Sequence, residues 1–222
     1  MRTVDVLLRE VVGDRPDLLI LQEADEEQPP HRGFLDLNRI ESSTALRHVH
    51  TDQTHRWSAE SHGFLGVCLF ASSVVEIEDI TLLDLPGHCH RGAVILDIRK
   101  DGCPLRLIGT HLSLSQVLRV AQMRTLGQHL SRRRARPTVL CGDLNEWRPW
   151  GGLALSRPVL GDRFAGPVAA TFPVRRPVLP PDRFLASGGA RVVRARALDG
   201  EGIRIASDHR PLAAEIEITP TV

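Results

Sequence analysis

The sequence has little of what nucleic-acid-binding and membrane proteins usually display. It contains no tyrosine, aromatic residues make up 4% of the chain, and Lys100 is its only lysine. The formal net charge is +1, so the chain lacks the broad basic field that supports non-specific binding to nucleic acids. No apolar run approaches the length that crosses a bilayer, and the N-terminus has no basic-then-apolar signal pattern. We therefore expect no transmembrane segment and a cytoplasmic location.

Two patterns typical of other hydrolases and metal proteins are also absent. The four cysteines are scattered without the paired spacing of a metal site. Cys68 and Cys141 lie within apolar runs, which indicates core residues and a reducing compartment. No serine has the Gly–x–Ser–x–Gly surroundings of a nucleophile elbow, which argues against a serine hydrolase.

The length and the hydrophobic pattern predict a single α/β domain. The chain has 222 residues, of which 42% are hydrophobic and 25% charged, which suits one domain over residues 1–222 and is too short for two. Apolar residues at helical spacing predict helices, and short apolar or alternating runs predict strands. The predicted helices are 3–12, 34–46 and 113–134, and the main predicted strands are 17–23, 64–71, 74–85, 93–99, 105–110, 138–142, 182–186, 191–198 and 213–218. This order indicates a mixed sheet core with helices outside.

One buried strand is followed directly by two polar side chains. Residues 138–145 have the sequence TVLCGDLN, in which apolar residues run into Gly142, and Asp143 and Asn145 follow two positions apart. Alternate residues of a strand point the same way, so both side chains would lie at its C-terminal rim, a usual place for chemistry in α/β proteins. Taken alone, the pattern is more often a turn than a site, because Asp and Asn both cap turns.

Five polar clusters share this placement, at or just after a predicted strand end. They are Glu23, His111, Asp143 with Asn145, Asp182, and Asp208 with His209. Glu23 is equally compatible with a solvated loop carboxylate among its acidic neighbours. The carboxylate oxygens suit Mg²⁺ or Mn²⁺, whereas two histidines without His–x–His spacing do not favour structural zinc. The four histidines of residues 48–62 are irregularly spaced and favour a loop over a metal site.

The order of the motifs resembles that of the endonuclease/exonuclease/phosphatase superfamily, and the general bacterial members of unassigned substrate are most similar. The motifs are LQE, GTHL, GDLN, TFP with a downstream Asp, and SDH, and they extend over nearly the whole chain. The resemblance implies a four-layer sandwich, in which two mixed sheets pack face to face with helices outside.

The resemblance also implies a role for each matching residue. Glu23 of LQE and Asp208 of SDH match metal-binding positions, and Arg91 matches an arginine that reaches the substrate phosphate. The catalytic positions are matched by His111, which assists at the phosphate or leaving group, by Asp143 and Asn145, which orient the attacking water, and by Asp182, which pairs with the catalytic His209.

The chain departs from the superfamily in two places. Members begin with a strand that ends in an Asn, whereas no Asn precedes Asn38 here, so we expect an N-terminally incomplete domain whose first strand is missing. Many members also have Gly–Asn where this chain has Gly66–Val67. Without the first strand, we expect weak Mg²⁺ binding and an exposed sheet edge that can pair with another chain.

These observations predict a divalent-metal-dependent phosphoester hydrolase, acting as a phosphodiesterase or phosphatase, with a nuclease as a further option. A divalent cation stabilises charge on the reacting phosphate, and an Asp or an Asp-oriented His activates the water. The balanced charge and scarce aromatics favour a small phosphoester or a lipid headgroup over duplex DNA. The alternative hypothesis is a degenerate, non-catalytic member that binds a phosphorylated ligand or a protein partner.

Overall fold

The computed structural model describes residues 2–88 and 90–219, which form ten strands and several helices. The strands are β1 (Leu18–Leu21), β2 (Leu46–His48), β3 (Cys68–Ser72), β4 (Glu76–Leu85), β5 (Arg91–Lys100), β6 (Cys103–His111), β7 (Thr138–Asp143), β8 (Asp182–Ser187), β9 (Ala190–Ala197) and β10 (Leu212–Ile218). The α-helices are α1 (Arg2–Val6), α2 (Leu37–Ser43), α3 (Gln116–Ser131), α4 (Arg157–Leu160) and α5 (Ile203–Ala206). The chain continues from α1 through a π-helical turn (Leu7–Val11) and a 3₁₀ turn (Val12–Asp14), and a second 3₁₀ turn covers Gln53–His55. None of the helices in the described residues is long and apolar enough to cross a membrane.

Five strands form the larger sheet, in the order β4-β5-β6-β7-β8. Neighbours pair antiparallel except β6 and β7, which are parallel. A parallel pair requires a crossover, and α3 supplies it by returning the chain from the end of β6 to the start of β7. Both strands therefore end at the same rim of the sheet, with His111 opposite Asp143.

Gly142 allows β7 to run close beside β6 at this rim. Its φ is +127°, a conformation that residues with a side chain rarely adopt, and a Cβ at this position would collide with the carbonyl oxygen of Thr110. The glycine that ends the apolar run in the sequence is therefore required by the backbone. It brings the following Asp143 to the rim without opening the strand pair.

The second sheet layer consists of two pieces. One is the antiparallel three-stranded sheet β1-β3-β2, and the other is the antiparallel pair β9–β10. A groove of about 1460 Å³ lies between them, bordered by β1 on one side and by β9 and β10 on the other. Within the described part of the chain, β1 pairs only with β3, and β10 pairs only with β9.

Three apolar clusters give the molecule its four layers. The largest lies between the sheets and combines residues of β3, β5, β6 and β7 with side chains from β1, β9 and β10. A second lies between the outer face of the five-stranded sheet and α3, and a third lies between the outer face of the three-stranded sheet and the helices α1 and α2. The predicted sandwich of two facing sheets with helices outside is therefore confirmed.

Several predicted boundaries differ from the observed ones. The strand predicted to reach Glu23 ends at Leu21, and the strand predicted for 64–71 begins only at Cys68. Both changes arise from tight backbone turns, because Glu23, Leu65 and Gly66 all have positive φ. Apolar composition alone cannot reveal these turns, since Leu65 looks like a strand residue. No strand precedes β1 within the described residues.

Candidate active site

Sheet register places three of the candidate residues in one row. His111 at the end of β6 lies opposite Asp143 of β7, and Asp143 lies opposite Asp182 at the start of β8. Adjacent strands are about 4.8 Å apart, so the three side chains necessarily lie close together at the rim. His111 Nε2 is 3.5 Å from Asp143 Oδ2.

A loop that follows α5 brings His209 to this row. The backbone N–H of Arg210 donates to the Thr171 carbonyl oxygen at 2.9 Å, and the N–H of Val174 donates to the Asp208 carbonyl oxygen at 2.7 Å. These two bonds fix the SDH loop against the segment that contains the TFP motif. His209 is consequently half-buried at the mouth of the site instead of projecting into solvent.

His209 and Asp182 form a hydrogen-bonded pair. His209 Nδ1 donates to Asp182 Oδ2 at 2.8 Å, and the hydroxyl of Thr171 donates to the same oxygen at 2.5 Å. Burial lowers the pKa of His209, but the hydrogen bond to Asp182, with the charges of Asp182, Asp143 and Asp208, outweighs it and raises the pKa to about 9. His209 is therefore an imidazolium at neutral pH, with Nε2 as its second N–H donor.

Asp143 is a buried carboxylate whose ionised form is destabilised. Burial raises its pKa to about 6, and the nearby charge of Asp182 adds to the increase. The backbone N–H of Asn145 donates to Asp143 Oδ1 at 2.8 Å and partly opposes the shift. Asp143 is thus ionised at neutral pH, yet it retains appreciable affinity for a proton.

Asn145 and Arg91 are both tied to this row. Asn145 has a left-handed backbone with φ of 50°, and its side-chain N–H donates to the Leu112 carbonyl oxygen at 2.8 Å. This bond leaves Asn145 Oδ1 as the acceptor end of the amide. Arg91 Nη1 donates to His111 Nδ1 at 2.9 Å.

The contact with Arg91 determines the tautomer of His111. Because the guanidinium can only donate, His111 Nδ1 is the acceptor, and the proton lies on Nε2, which faces Asp143. Burial and the charge of Arg91 lower the pKa of His111 to about 3. The 3.5 Å approach to Asp143 is therefore that of a neutral imidazole N–H, and not of an ion pair.

The two predicted metal-binding residues lie at the open side of the site. Glu23 and Asp208 are both exposed. Glu23 is close enough for its charge to raise the pKa of Asp143, and the charge of Asp208 raises that of His209. In place of the second superfamily amide, Val67 is fully buried in the core between the sheets.

The donor set of the site fits a hard divalent cation. Oxygen or nitrogen ligand atoms of Asp143, Asp182 and His209 lie within 4.8 Å of one another, and no other such group of three occurs in residues 2–88 and 90–219. Four carboxylates contribute negative charge to the pKa shifts at this rim, namely Glu23, Asp143, Asp182 and Asp208. An Mg²⁺ or Mn²⁺ ion would relieve that accumulation, because both prefer carboxylate oxygens.

The histidines of residues 48–62 do not form a metal site among the described residues. His48 Nε2 is bonded to the His62 carbonyl oxygen, and His50 Nδ1 to the His55 carbonyl oxygen, both at 2.7 Å. These contacts fix loop backbone and are consistent with the loop that the sequence favours.

Two features of the site were not singled out from the sequence. Thr171 was noted only as part of the TFP motif, but its hydroxyl bonds to Asp182. Glu146, directly after Asn145, is fully buried and accepts a hydrogen bond from Arg148 at 2.9 Å, with Arg119 at 3.5 Å. This ion cluster fixes the loop after β7, and it depends on Arg119 of α3, which sequence spacing does not connect to Glu146.

Comparisons with known proteins agree with this fold. A structure from Enterococcus faecalis V583, described as a functionally unknown conserved protein, has 20% identity and a TM-score of 0.73, covering 98% of this chain and 91% of the other. The Bacteroides thetaiotaomicron mannosyl-6-phosphatase Bt3783 has 13% identity and a TM-score of 0.69, with 98% and 90% covered. The human Nocturnin catalytic domain with bound sulfate anion has 20% identity and a TM-score of 0.68, with 98% and 87% covered.

The comparison of sequences identifies the family. No curated protein matches the chain significantly. The sequence profile of the Endonuclease/Exonuclease/phosphatase family, however, matches residues 2–209, a span that contains every candidate site residue. Together with the strand-end site and the four-layer fold, this match shows that the chain belongs to the endonuclease/exonuclease/phosphatase family.

Proposed function

We propose that this protein hydrolyses phosphoester bonds with the help of a divalent cation. The observation that carries the proposal is the convergence of Asp143, Asp182 and His209 within 4.8 Å of one another, which places a buried carboxylate beside the hydrogen-bonded Asp182–His209 pair. Family members are hydrolases as a class, and the names of similar structures include a phosphatase. A His held by a hydrogen bond to an Asp is also the pairing that hydrolase triads use.

Asp143 would transfer protons, and His209 would stabilise negative charge. Asp143, ionised at neutral pH with a pKa of about 6, is placed to accept the proton of an attacking water. His209, held charged by Asp182, presents Nε2–H to a phosphate oxygen or to the leaving oxygen. Thr171 keeps Asp182 from rotating away, so it acts as a positioning residue.

The neutral His111 and Arg91 form a second donor pair. His111 offers an Nε2–H without carrying charge, which suits a hydrogen bond to a non-bridging phosphate oxygen. The guanidinium of Arg91 holds the imidazole in this tautomer and adds positive charge beside the phosphate position. Asn145, anchored through its side-chain N–H, orients its oxygen for the water.

Glu23 and Asp208 would hold the Mg²⁺ or Mn²⁺ ion, with Asp143 nearby. When bound, the ion would neutralise phosphate oxygens and stabilise the charge that develops on the pentacovalent phosphate. Glu23 and Asp208 are exposed, so their carboxylates can turn towards an ion without first breaking a buried contact.

For the substrate, we propose a small phosphoester or a lipid headgroup in preference to duplex DNA. The net charge of +1 and the low aromatic content do not supply the basic groove that a duplex requires. The free thiols of Cys68, Cys103 and Cys141 support a reducing, cytoplasmic location. Among the described residues, β1 and β10 each have one edge without a paired strand, which supports a proposal that the chain associates through a sheet edge.

A second candidate is a non-catalytic member of the family that binds a phosphorylated ligand. The exposure of both proposed metal-binding residues favours it, since neither carboxylate is fixed by a hydrogen bond that the structure shows. This candidate predicts that inorganic phosphate binds in calorimetry while no phosphoester is turned over.

A panel assay separates the two candidates. Purified protein is stripped with EDTA and tested on phosphomonoesters, a soluble phosphodiester, lipid phosphoesters and duplex DNA, each with Mg²⁺, Mn²⁺ or EDTA. The hydrolase proposal predicts turnover of at least one ester only when a metal is present. Absence of turnover on every ester at saturating metal would overturn it in favour of the binding protein.

A further inference from the structure

One rim of the candidate active site carries unusually exposed apolar side chains. Leu114 is 80% exposed, Val117 78% and Trp150 77%, and Trp147 and Leu153 are at least half exposed. They come from two segments, 114–117 and 147–153. We call these five residues the rim patch. Large apolar side chains grouped in this way mark an interaction surface more often than singly scattered ones do.

The two segments form one continuous surface. Val117 and Leu153 line the same shallow depression. Arg148 Nη2 donates to Gln116 Oε1 at 3.0 Å, which links the loop to the start of α3, and its guanidinium lies 4.8 Å from the ring centre of Trp147. Trp150 belongs to the turn closed by the Gly151 N–H and the Arg148 carbonyl oxygen.

The rim patch directly adjoins the site. Its two segments continue strands β6 and β7, whose last residues are His111 and Asp143. Leu114 follows His111 by three residues, so their Cα atoms are at most about 11 Å apart. Trp147 follows Asp143 by four residues, so their Cα atoms are at most about 14 Å apart. A surface that covers the rim patch would therefore lie beside the mouth of the cleft.

The exposed charged residues between 111 and 161 are all arginines, and the first exposed acid after them is Asp162. Between residues 111 and 161 the sequence has eight arginines and two acidic residues, and both acids, Asp143 and Glu146, are buried. Arg124 and Arg157 are exposed on the helices that flank the rim patch. Arg133 and Arg136 pair with acids of β4, so they do not count toward this surface.

We propose that the rim patch docks on the surface of an anionic lipid bilayer and so places the cleft against a lipid phosphoester. Tryptophan and aliphatic side chains enter the boundary between headgroups and acyl chains, and exposed arginines are attracted to anionic headgroups. A nucleic acid would use the arginines but leave Leu114, Val117 and Leu153 in water. The docking is independent of catalysis, whereas the lipid substrate rests on the proposed hydrolase function.

Tryptophan fluorescence measures the docking without an assay of activity. The chain has no tyrosine and three tryptophans, two of which belong to the rim patch. In the Trp57→Phe variant all emission comes from Trp147 and Trp150. Titration with phosphatidylcholine vesicles that contain phosphatidylglycerol is expected to shift this emission to the blue, and pure phosphatidylcholine to shift it less. An unchanged emission with both kinds of vesicle would overturn the proposal.

A matched pair of triple variants tests the rim patch itself by co-sedimentation with the same vesicles. Leu114→Ser, Val117→Ser and Trp150→Ser together are expected to weaken binding at least about tenfold, because three apolar side chains no longer enter the lipid. Val74→Ser, Val193→Ser and Ile205→Ser remove exposed apolar side chains elsewhere and are expected to bind like the wild type. Equal binding by all three proteins would overturn the assignment.

Two further readouts separate this proposal from the proposed hydrolase function. The rim-patch variant is expected to keep wild-type turnover of a water-soluble phosphodiester, because none of its changes touches the row of site residues. His209→Ala is expected to lose turnover and still sediment with the vesicles. Loss of vesicle binding in His209→Ala would contradict the independence of docking from catalysis.

Discussion

The two sheet layers differ in how completely they are built. The larger layer is a continuous sheet of five strands, and it supplies His111, Asp143 and Asp182 in one row. The facing layer is divided by a groove of about 1460 Å³ between its three-stranded and two-stranded pieces. Glu23 follows β1, the edge strand of the first piece, and Asp208 lies in the segment between β9 and β10 of the second.

This difference corresponds to two different kinds of side chain in the site. The residues of the continuous sheet are buried or half-buried and are held by hydrogen bonds of 2.8 Å between Asp182 and His209 and 2.9 Å between Arg91 and His111. Glu23 and Asp208 are exposed. The groups proposed for proton transfer are thus held in place by the fold, whereas the groups proposed to bind the cation are exposed.

The largest expected effect is on the preorganised side. His209→Ala removes the charged donor and leaves Asp182 without its partner, so kcat is expected to fall at least about 10²-fold. The melting temperature should also fall, because a pKa of about 9 means that the fold stabilises the charged form of His209 at neutral pH. His129→Ala, a change at the far end of α3, serves as the control and should keep wild-type kcat. Nearly full activity in His209→Ala would mean that His209 has no catalytic role.

Core truncations compare the stability of the two layers directly. Leu96→Ala in β5 removes a fully buried side chain and is expected to lower the free energy of unfolding by about 2–5 kcal/mol. Leu18→Ala in β1 removes the same side chain from a half-buried position on the groove, so it should cost less than half as much. Urea denaturation measures both. Equal costs would show that the groove side is packed as tightly as the continuous sheet.

The fall of the free energy of unfolding at acidic pH tests a second buried group, His50, which follows β2 in the divided layer. Burial lowers the pKa of His50 to about 4, below the unfolded value, so the unfolded state binds more protons in the interval between them. Stability should therefore fall as pH drops from 6.5 to 4, by on the order of 2 kcal/mol from this group. His50→Asn, which can keep the bond to the His55 carbonyl oxygen, should flatten that interval in melting experiments. An unchanged slope would contradict the assignment.

The smallest expected effect concerns the cation. Glu23→Gln removes one proposed ligand charge and should weaken Mg²⁺ binding by about tenfold in calorimetry, with kcat restored by excess metal. Glu27→Gln changes a nearby exposed carboxylate and should leave the affinity unchanged. If excess Mg²⁺ failed to restore kcat, Glu23 would belong with the catalytic residues of the continuous sheet.

The sequence predicts the continuous sheet better than the divided layer. The apolar run into Gly142 correctly placed β7 and the polar pair after it, because a buried strand and a glycine at a close approach both leave local signals. Between the predicted strands 93–99 and 105–110, Asp101–Gly102 is a local hairpin signal, and these strands do pair as β5 and β6. By contrast, Leu65 lies in an apolar run and yet has positive φ. The observed strand β3 therefore begins at Cys68, later than the predicted start at residue 64.

Tertiary contacts explain what sequence reasoning missed at the site. The bond between Thr171 and Asp182 crosses eleven residues of irregular chain, and the cluster around Glu146 depends on Arg119 of α3. Neither leaves a periodic signal. The motif resemblance named the candidate residues one by one, but only the strand register explains why His111, Asp143 and Asp182 are adjacent.

The position of a bound cation tests most directly whether Glu23 binds the metal while the His209–Asp182 pair stays intact. Anomalous diffraction from crystals grown with Mn²⁺ would locate it. The account predicts a peak within about 2.5 Å of a Glu23 carboxylate oxygen, with the His209–Asp182 hydrogen bond still close to 2.8 Å. A peak coordinated by His209 Nδ1 among Asp143 and Asp182 would contradict it, because that nitrogen could no longer donate to Asp182.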